Sequence, residues 1–284
     1  MDWIKRLNAA INYIEEHLTE EPDYDRLGKI ACCSAYHFQR MFGYMAGVPL
    51  SEYIRRRRMS RAAVDLQNGD QRIIDVAAKY GYESPTAFNR AFQSVHGFAP
   101  SQTREAGRTL TSFPAISFQM TIKGAVQMDY RIETREAFRI VGVSAPLERE
   151  IEKNFEAVPR MWGKAAQDGT IAQLAGLMDT RPQGILGVSA CYGAAEQWRY
   201  YIAVASTLPA PNFEEYTVPA ATWAIFSGQG SGVSIQTLEQ RIVTEWLPTS
   251  GYEYGDGPDV EIYFDPTPEN TRYEVWIPVI KRND

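Results

Sequence analysis

The sequence predicts an all-α domain followed by an α+β domain of two βαββ repeats around a central concave surface. Three observations lead there. Residues 1–108 are dense in apolar residues at helical spacing, with short polar turns at "TEEPDYD", "NGD" and "YGYESP". From about residue 126 the texture changes to alternating, β-rich runs: "FRIVGV", "RYYIAVAS", "ATWAIFS", "VEIYF" and "RYEVWIPVI". Charge divides with texture, since residues 1–108 hold 15 Lys and Arg against 13 Asp and Glu, and the rest hold 14 against 22. The predicted boundaries are 1–108, a partly apolar and therefore packed connector at 109–125, and 126–284.

Composition narrows the function classes. A chain of 284 residues that is 44% hydrophobic has room for two ordinary cores. It has no apolar run near the roughly 18 residues of a membrane helix, and "MDWIKRLNAA" has no signal-peptide core. Cys32, Cys33 and Cys191 are spaced for neither a disulfide framework nor a zinc site, so a reduced, cytoplasmic protein with no metal or cofactor is expected. All three histidines, His17, His37 and His96, fall in the first half. No nucleophile elbow, P-loop or dinucleotide fingerprint is present, and "GQGSG" (228–232) lacks the lysine of a phosphate loop. No catalytic residues are expected.

The helical half repeats itself. "SAYHFQRMF" (34–42) and "SPTAFNRAF" (84–92) share one frame. As helices, Phe38, Met41, Phe42 and Met45 form one face, and Phe88, Ala91, Phe92 and Val95 form its counterpart. Ser34 and Ser84 are natural N-caps, Pro85 suits a first turn, and Gly47 and Gly97 suit the ends. Short helices, "YDRLGKIA" and "IIDVAAKY", precede each segment, which is helix-turn-helix order written twice. The outer faces carry Tyr36, Gln39 and Arg40 in the first and Thr86, Asn89 and Arg90 in the second. Such side chains pair with base edges in a major groove of double-stranded DNA. The same spacing also fits an ordinary bundle with solvated polar faces. Joining the units, "LSEYIRRRRMSRAAVDLQ" has a buried stripe of Ile54, Met59, Ala62, Ala63 and Leu66. Five arginines lie within 55–61, one or two of them expected on phosphates and the rest on solvent or acidic partners.

On "YHFQRMF", "YIRRRRM", "AAKYGYES" and "FNRAFQSVHGFAPSQTR", residues 8–104 resemble the double helix-turn-helix domain of the AraC family of transcription regulators. The resemblance implies that Tyr36, Gln39 and Arg40 enter one major groove and Thr86, Asn89 and Arg90 the next. Arg40 is the first candidate for base readout. Cys32–Cys33 departs from the family, which has a glycine and an apolar residue there. Pro85 and Ala87 remove hydrogen-bonding groups, so the second helix is expected to be less base-specific than the first.

The second half carries its own echo. Residues 127–206 and 213–281 each read strand, helix, strand, strand, and "RYYIAVA" nearly matches "RYEVWIPV". Glu261 and Tyr263 share a strand face, as do Glu274 and Trp276. If these strands form a hairpin, carboxylate and aromatics converge on one concavity suited to a lipophilic cation. The alternative is that the aromatics are core and the glutamates face water. On "TEWLPTSGYEYGDGPDVEIYFD" and "YEVWIPV", residues 126–282 resemble the GyrI-like effector-binding domain of multidrug-sensing regulators. The resemblance implies Glu261 as the acidic pocket residue with Tyr263 and Trp276 as walls, and then Trp162, Tyr192, Trp223 and Glu274 as further lining. The function it implies is a transcription activator with double-stranded DNA, a small lipophilic cationic effector and RNA polymerase as partners, and no membrane. Two other readings stand beside it: a small-molecule hydrolase using Glu261 and a tyrosine, and a protein-interaction module.

Overall fold

The computed structural model describes residues 3–119, 127–191, 197–265 and 270–282. In chain order the helices α1 (Trp3–Glu16), α2 (Tyr24–Ala31), α3 (Ala35–Ala46), α4 (Leu50–Asn68), α5 (Ile73–Lys79) and α6 (Pro85–His96) come first, then a 3₁₀ turn, Pro100–Arg104. Next follow β1 (Tyr130–Arg135), β2 (Phe138–Leu147), α7 (Ala157–Gln167), α8 (Thr170–Leu177), β3 (Ile185–Ala190) and β4 (Trp198–Ala205). The chain ends with β5 (Glu214–Val218), β6 (Ala221–Gly230), α9 (Gly232–Arg241), β7 (Tyr252–Tyr254), β8 (Asp259–Tyr263) and β9 (Thr271–Lys281). A π turn, Ile242–Trp246, continues α9. The chain divides into two units: Met1–Ala31 with Met45–Met120, and Cys32–Tyr44 with Thr121–Asp284. The second unit therefore includes most of α3, which the sequence reading placed with the helices.

In the first unit α4 is the long central element. Its second half, through Met59, Ala62, Ala63 and Leu66, packs with Val76 and Ala77 of α5 and Phe88, Ala91 and Phe92 of α6. Ser84 caps α6, its Oγ accepting from Ala87 N at 3.4 Å, and Gly97 closes the helix at φ +79°, a conformation that suits glycine. The arginine run is largely consumed inside the unit. Arg57, buried, grips both carboxylate oxygens of Glu15 at 2.8 and 2.6 Å and also donates to the Phe113 carbonyl. Arg58 donates to the Leu18 and Glu20 carbonyls beyond the end of α1, at 2.8 and 2.5 Å. Arg55 and Arg56 both reach Glu52, and Arg61 is exposed. The connector begins on the same unit: Phe118 exchanges two hydrogen bonds with Asn8, and Phe113 N donates to Ser60 Oγ.

The second unit is an antiparallel sheet in the order β1-β6-β9-β8-β3-β4-β2-β5, with β7 pairing the far end of β9. The two repeats predicted from sequence are visible as β1-β2-α7-α8-β3-β4 and β5-β6-α9-β8-β9. They meet at the β3–β8 pair. Each predicted first strand is in fact two. The chain breaks after Arg135 and again at Pro219–Ala220, where proline has no N–H for a ladder. Each detached first piece crosses to the other repeat, β1 pairing with β6 and β5 with β2. Tyr200, Ile202 and Val204 of β4 pack with Ala165 of α7 and Leu174 of α8 on one face. A second cluster, with Tyr201, Trp223, Ile225, Val260 and Trp276, forms on the opposite face.

Candidate functional site

Register decides which acidic and aromatic residues meet. Glu261 on β8 lies opposite Gly187 of β3 and Val275 of β9, whereas Trp276 lies opposite Val260. Side chains alternate along a strand, so Glu261 and Tyr263 sit on one face and Glu274 and Trp276 on the other. The two pairs do not converge.

On the Glu261 face, the Tyr263 hydroxyl donates to Glu261 Oε2 at 2.5 Å. The ring of Trp162, from α7, meets Tyr263 edge-on with centroids 5.0 Å apart, and Trp162 Nε1 donates to the Tyr200 hydroxyl at 2.9 Å. Gly187 makes this arrangement possible. A Cβ there would stand 2.3 Å from the Tyr200 hydroxyl and 3.2 Å from Glu261 Oε2. Burial, and then the negative charge of Glu239 on α9, push the Glu261 carboxyl up to about 8. A side-chain hydrogen bond with Glu239 acts in the same direction, and one with Tyr263 acts against it. Burial likewise holds the Tyr200 and Tyr263 phenols far above their ordinary range.

Glu274 and Trp276 are engaged elsewhere. Trp276 Nε1 donates to Glu274 Oε2 at 2.7 Å, Arg131 pairs with Glu274 at 2.8 Å, and the Arg135 guanidinium lies 4.6 Å from the Trp276 ring centroid. Trp223 packs on Trp276 with centroids 5.9 Å apart. An acid already matched by arginine and a ring already covered by one leave no charge for an outside cation to balance. Tyr192 lies outside the described residues.

The nucleic-acid candidates part in the same way. On α6, Thr86 and Arg90 are exposed and Asn89 half-buried, an open polar face. On α3, Tyr36, Gln39 and Arg40 are occupied within the second unit. The Arg40 guanidinium pairs with Asp259 Oδ2 at 2.9 Å and Glu239 Oε1 at 2.7 Å. Tyr44, one turn on, donates to Glu239 Oε2 at 2.9 Å. His37 Nε2 meets Asp259 Oδ1 at 3.0 Å, and the ring stacks on Tyr254 at 3.9 Å. Tyr36 donates to Ser189 Oγ at 3.2 Å, and Gln39 donates to the Arg149 carbonyl at 2.8 Å. Burial acts to raise the Asp259 carboxyl, and His37 and Arg40 outweigh it, holding it below the ordinary value. No cluster of three or more metal-ligating side chains occurs among the described residues.

Gly187, Tyr200, Glu239 and Asp259 are among the residues of this network that escaped the sequence reading. Two carried a readable signal. Glu239 is in helical phase with Ile235, Ile242 and Trp246, which are buried, so a carboxylate interrupts an apolar stripe. Asp259 alternates with Glu261 and Tyr263 along β8.

Tandem helix-turn-helix elements ahead of a sheet domain of two βαββ repeats make the build of a two-domain transcription regulator. The chain belongs to the GyrI-like family: residues 128–280 match the GyrI-like small molecule binding domain, and residues 27–106 match a helix-turn-helix domain of AraC type. It is similar along its whole length to the transcriptional regulator Rob of Salmonella typhimurium, 25% identical over 98% of this chain and 99% of that protein. Its first third is similar to the transcriptional activator AarP of Providencia stuartii, 38% identical over 34% of this chain and 73% of AarP. An uncharacterized regulator of Bacillus subtilis, YbfP, is 36% identical over 39% of this chain and 38% of its own. The homologues of this chain are transcription regulators and activators, and no enzyme family is among the matched families. No helix among the described residues is long and apolar enough to cross a membrane.

Proposed function

We propose that the protein is a cytoplasmic transcription activator whose second domain binds, without turning over, a small lipophilic cation at Glu261. One observation carries the effector class: a half-buried carboxyl bounded by Tyr263, Tyr200 and Trp162, on the face where Gly187, having no Cβ, lets the Tyr200 hydroxyl come close. A cation placed there balances the charge of the ionised carboxylate, so the acid is held without an uncompensated ion. Aromatic faces add cation–π attraction. An anion gains neither. On the DNA side, the polar face of α6 with Thr86, Asn89 and Arg90 reads or flanks a major groove, and its exposure supports that reading; Tyr36, Gln39 and Arg40 are the corresponding set on α3. An activator with this build works through contact with RNA polymerase.

Two ions of the same shape and opposite charge test the effector class. Tetraphenylphosphonium should quench tryptophan fluorescence saturably, tetraphenylborate should not, and Glu261→Gln should weaken the cation by about tenfold or more. Equal binding of both ions, or of neither, would remove the cationic reading. Release of a chemically altered ligand would turn it into the hydrolase reading.

A further inference from the structure

Glu239 bears on both candidate sites. Its charge acts on Glu261, the acid proposed to meet the effector, and its carboxylate pairs with Arg40, the first candidate for base readout, and accepts from Tyr44. Asp259, two residues before Glu261 on β8, takes the other side of the same guanidinium and also holds His37. The neighbouring side chains of α3 are equally engaged: Gln39 is 1% exposed, Tyr36 donates to Ser189, and the Arg40 side chain is 16% exposed. A guanidinium between two carboxylates is in the same kind of two-pronged grip that it would take on a guanine edge, and it cannot do both.

We infer that Glu239 and Asp259 form an internal acid clamp on Arg40, and that effector at Glu261 and DNA at Arg40 are linked through competition for Glu239. The inference rests on the Glu261 effector reading for its ligand half, while its DNA half rests on the ion pairs alone. A cation held by an ionised Glu261 puts a second positive charge beside Glu239, in competition with the Arg40 guanidinium for the same carboxylate, and the clamp loosens. Coupling of this kind is reciprocal, so freeing Arg40 must in turn alter the affinity of the pocket for cations. Arg40 is itself the positive charge nearest to the acid pair, and its removal leaves the pocket more negative.

Two arms test the clamp on the full-length chain. For the first, duplexes are selected from a random pool with the Glu239→Gln, Asp259→Asn double variant, and fluorescence anisotropy then gives Kd for each protein on the recovered sequence. The double variant should bind about tenfold or more tightly than the unmodified protein, and the added Arg40→Ala change should abolish that gain. Equal affinity in the unmodified protein and a folded double variant overturns the clamp. The second arm serves also where the double variant does not fold. Arg40→Ala should bind tetraphenylphosphonium about tenfold more tightly than the unmodified protein. Unchanged cation affinity in Arg40→Ala overturns the link to Glu261. If the unmodified protein and Arg40→Ala both ignore the cation, the effector reading falls, and the anisotropy arm alone decides the clamp.

Discussion

Replacing Glu261 by Gln should change how stability depends on pH, in a direction fixed by the environment of that side chain. In the folded protein burial and Glu239 raise its carboxyl from 4.5 to about 8. A group that holds its proton more tightly when folded contributes its full stabilising effect below the unfolded value, near 4.5, and loses it as pH rises through the folded value. Each unit of pH over that span is worth about 1.4 kcal/mol, which sets an upper bound of about 5 kcal/mol for a site that does not relax. Relaxation of Tyr263 and Glu239 around the new charge brings the expected loss to about 2–4 kcal/mol between pH 5 and pH 9. Gln keeps the shape of a protonated Glu and cannot ionise, so Glu261→Gln should match the parent near pH 5 and exceed it by that amount at pH 9. His96, whose imidazole is held below its ordinary value chiefly by burial, titrates in both proteins and cancels in the difference. Urea unfolding of both proteins at several pH values gives the comparison directly. Parallel pH profiles would refute the argument, since they would mean that Glu261 is ionised in the fold at no cost.

Three further outcomes follow from named contacts. Cys32 sits at φ +57°, where an L-residue is strained, so Cys32→Gly should raise stability by about 1 kcal/mol; an unchanged urea midpoint would count against strain there. Gly187→Ala places a methyl within 2.3 Å of the Tyr200 hydroxyl, which must move and release Trp162 Nε1. A loss of about 1–3 kcal/mol is expected in thermal unfolding, with a shifted Trp162 emission. Arg90→Ala should weaken DNA binding and lower the salt dependence by about one phosphate contact if Arg90 meets the backbone, or relax base preference at constant slope if it reads a base; no change in either would take α6 away from the DNA.

Much of the architecture was legible because it is written in periodicity. Phe88, Ala91 and Phe92 recur at helical spacing with Ser84 and Gly97 at the ends, and the structure shows that helix with both caps. The alternation of β8 and β9 was equally plain, as was the echo between the two repeats. What alternation cannot supply is register. Glu261 and Tyr263 share a face, and so do Glu274 and Trp276, yet whether the two faces coincide depends on which residues of β8 and β9 stand opposite each other. The pairing of Glu261 with Val275 separates them. The strand exchange was hidden for a related reason: nothing in "YRIETREAFRIVGV" marks a partner some 90 residues away. Recognition faces are open to two readings in another sense. Tyr36, Gln39 and Arg40 form a polar helix face, and a polar face serves acidic side chains as readily as it serves DNA.

The exchanged strands also govern the order in which the second domain can be completed during synthesis. β1 leaves the ribosome first, but its hydrogen-bonding partner is β6, made some 90 residues later, and β6 needs β9, which is nearly the last segment produced. Until then β1 and the edge of β2 expose unpaired backbone, a state prone to intermolecular strand pairing. Each repeat holds a strand that pairs with the other repeat, so neither can be completed alone, and a chain interrupted between β4 and β5 has an edge it cannot close. The helical unit, held together by contacts close in sequence, can be finished much earlier. A nascent chain of this protein therefore has α4, α5 and α6 packed together before it has the completed sheet of the second unit.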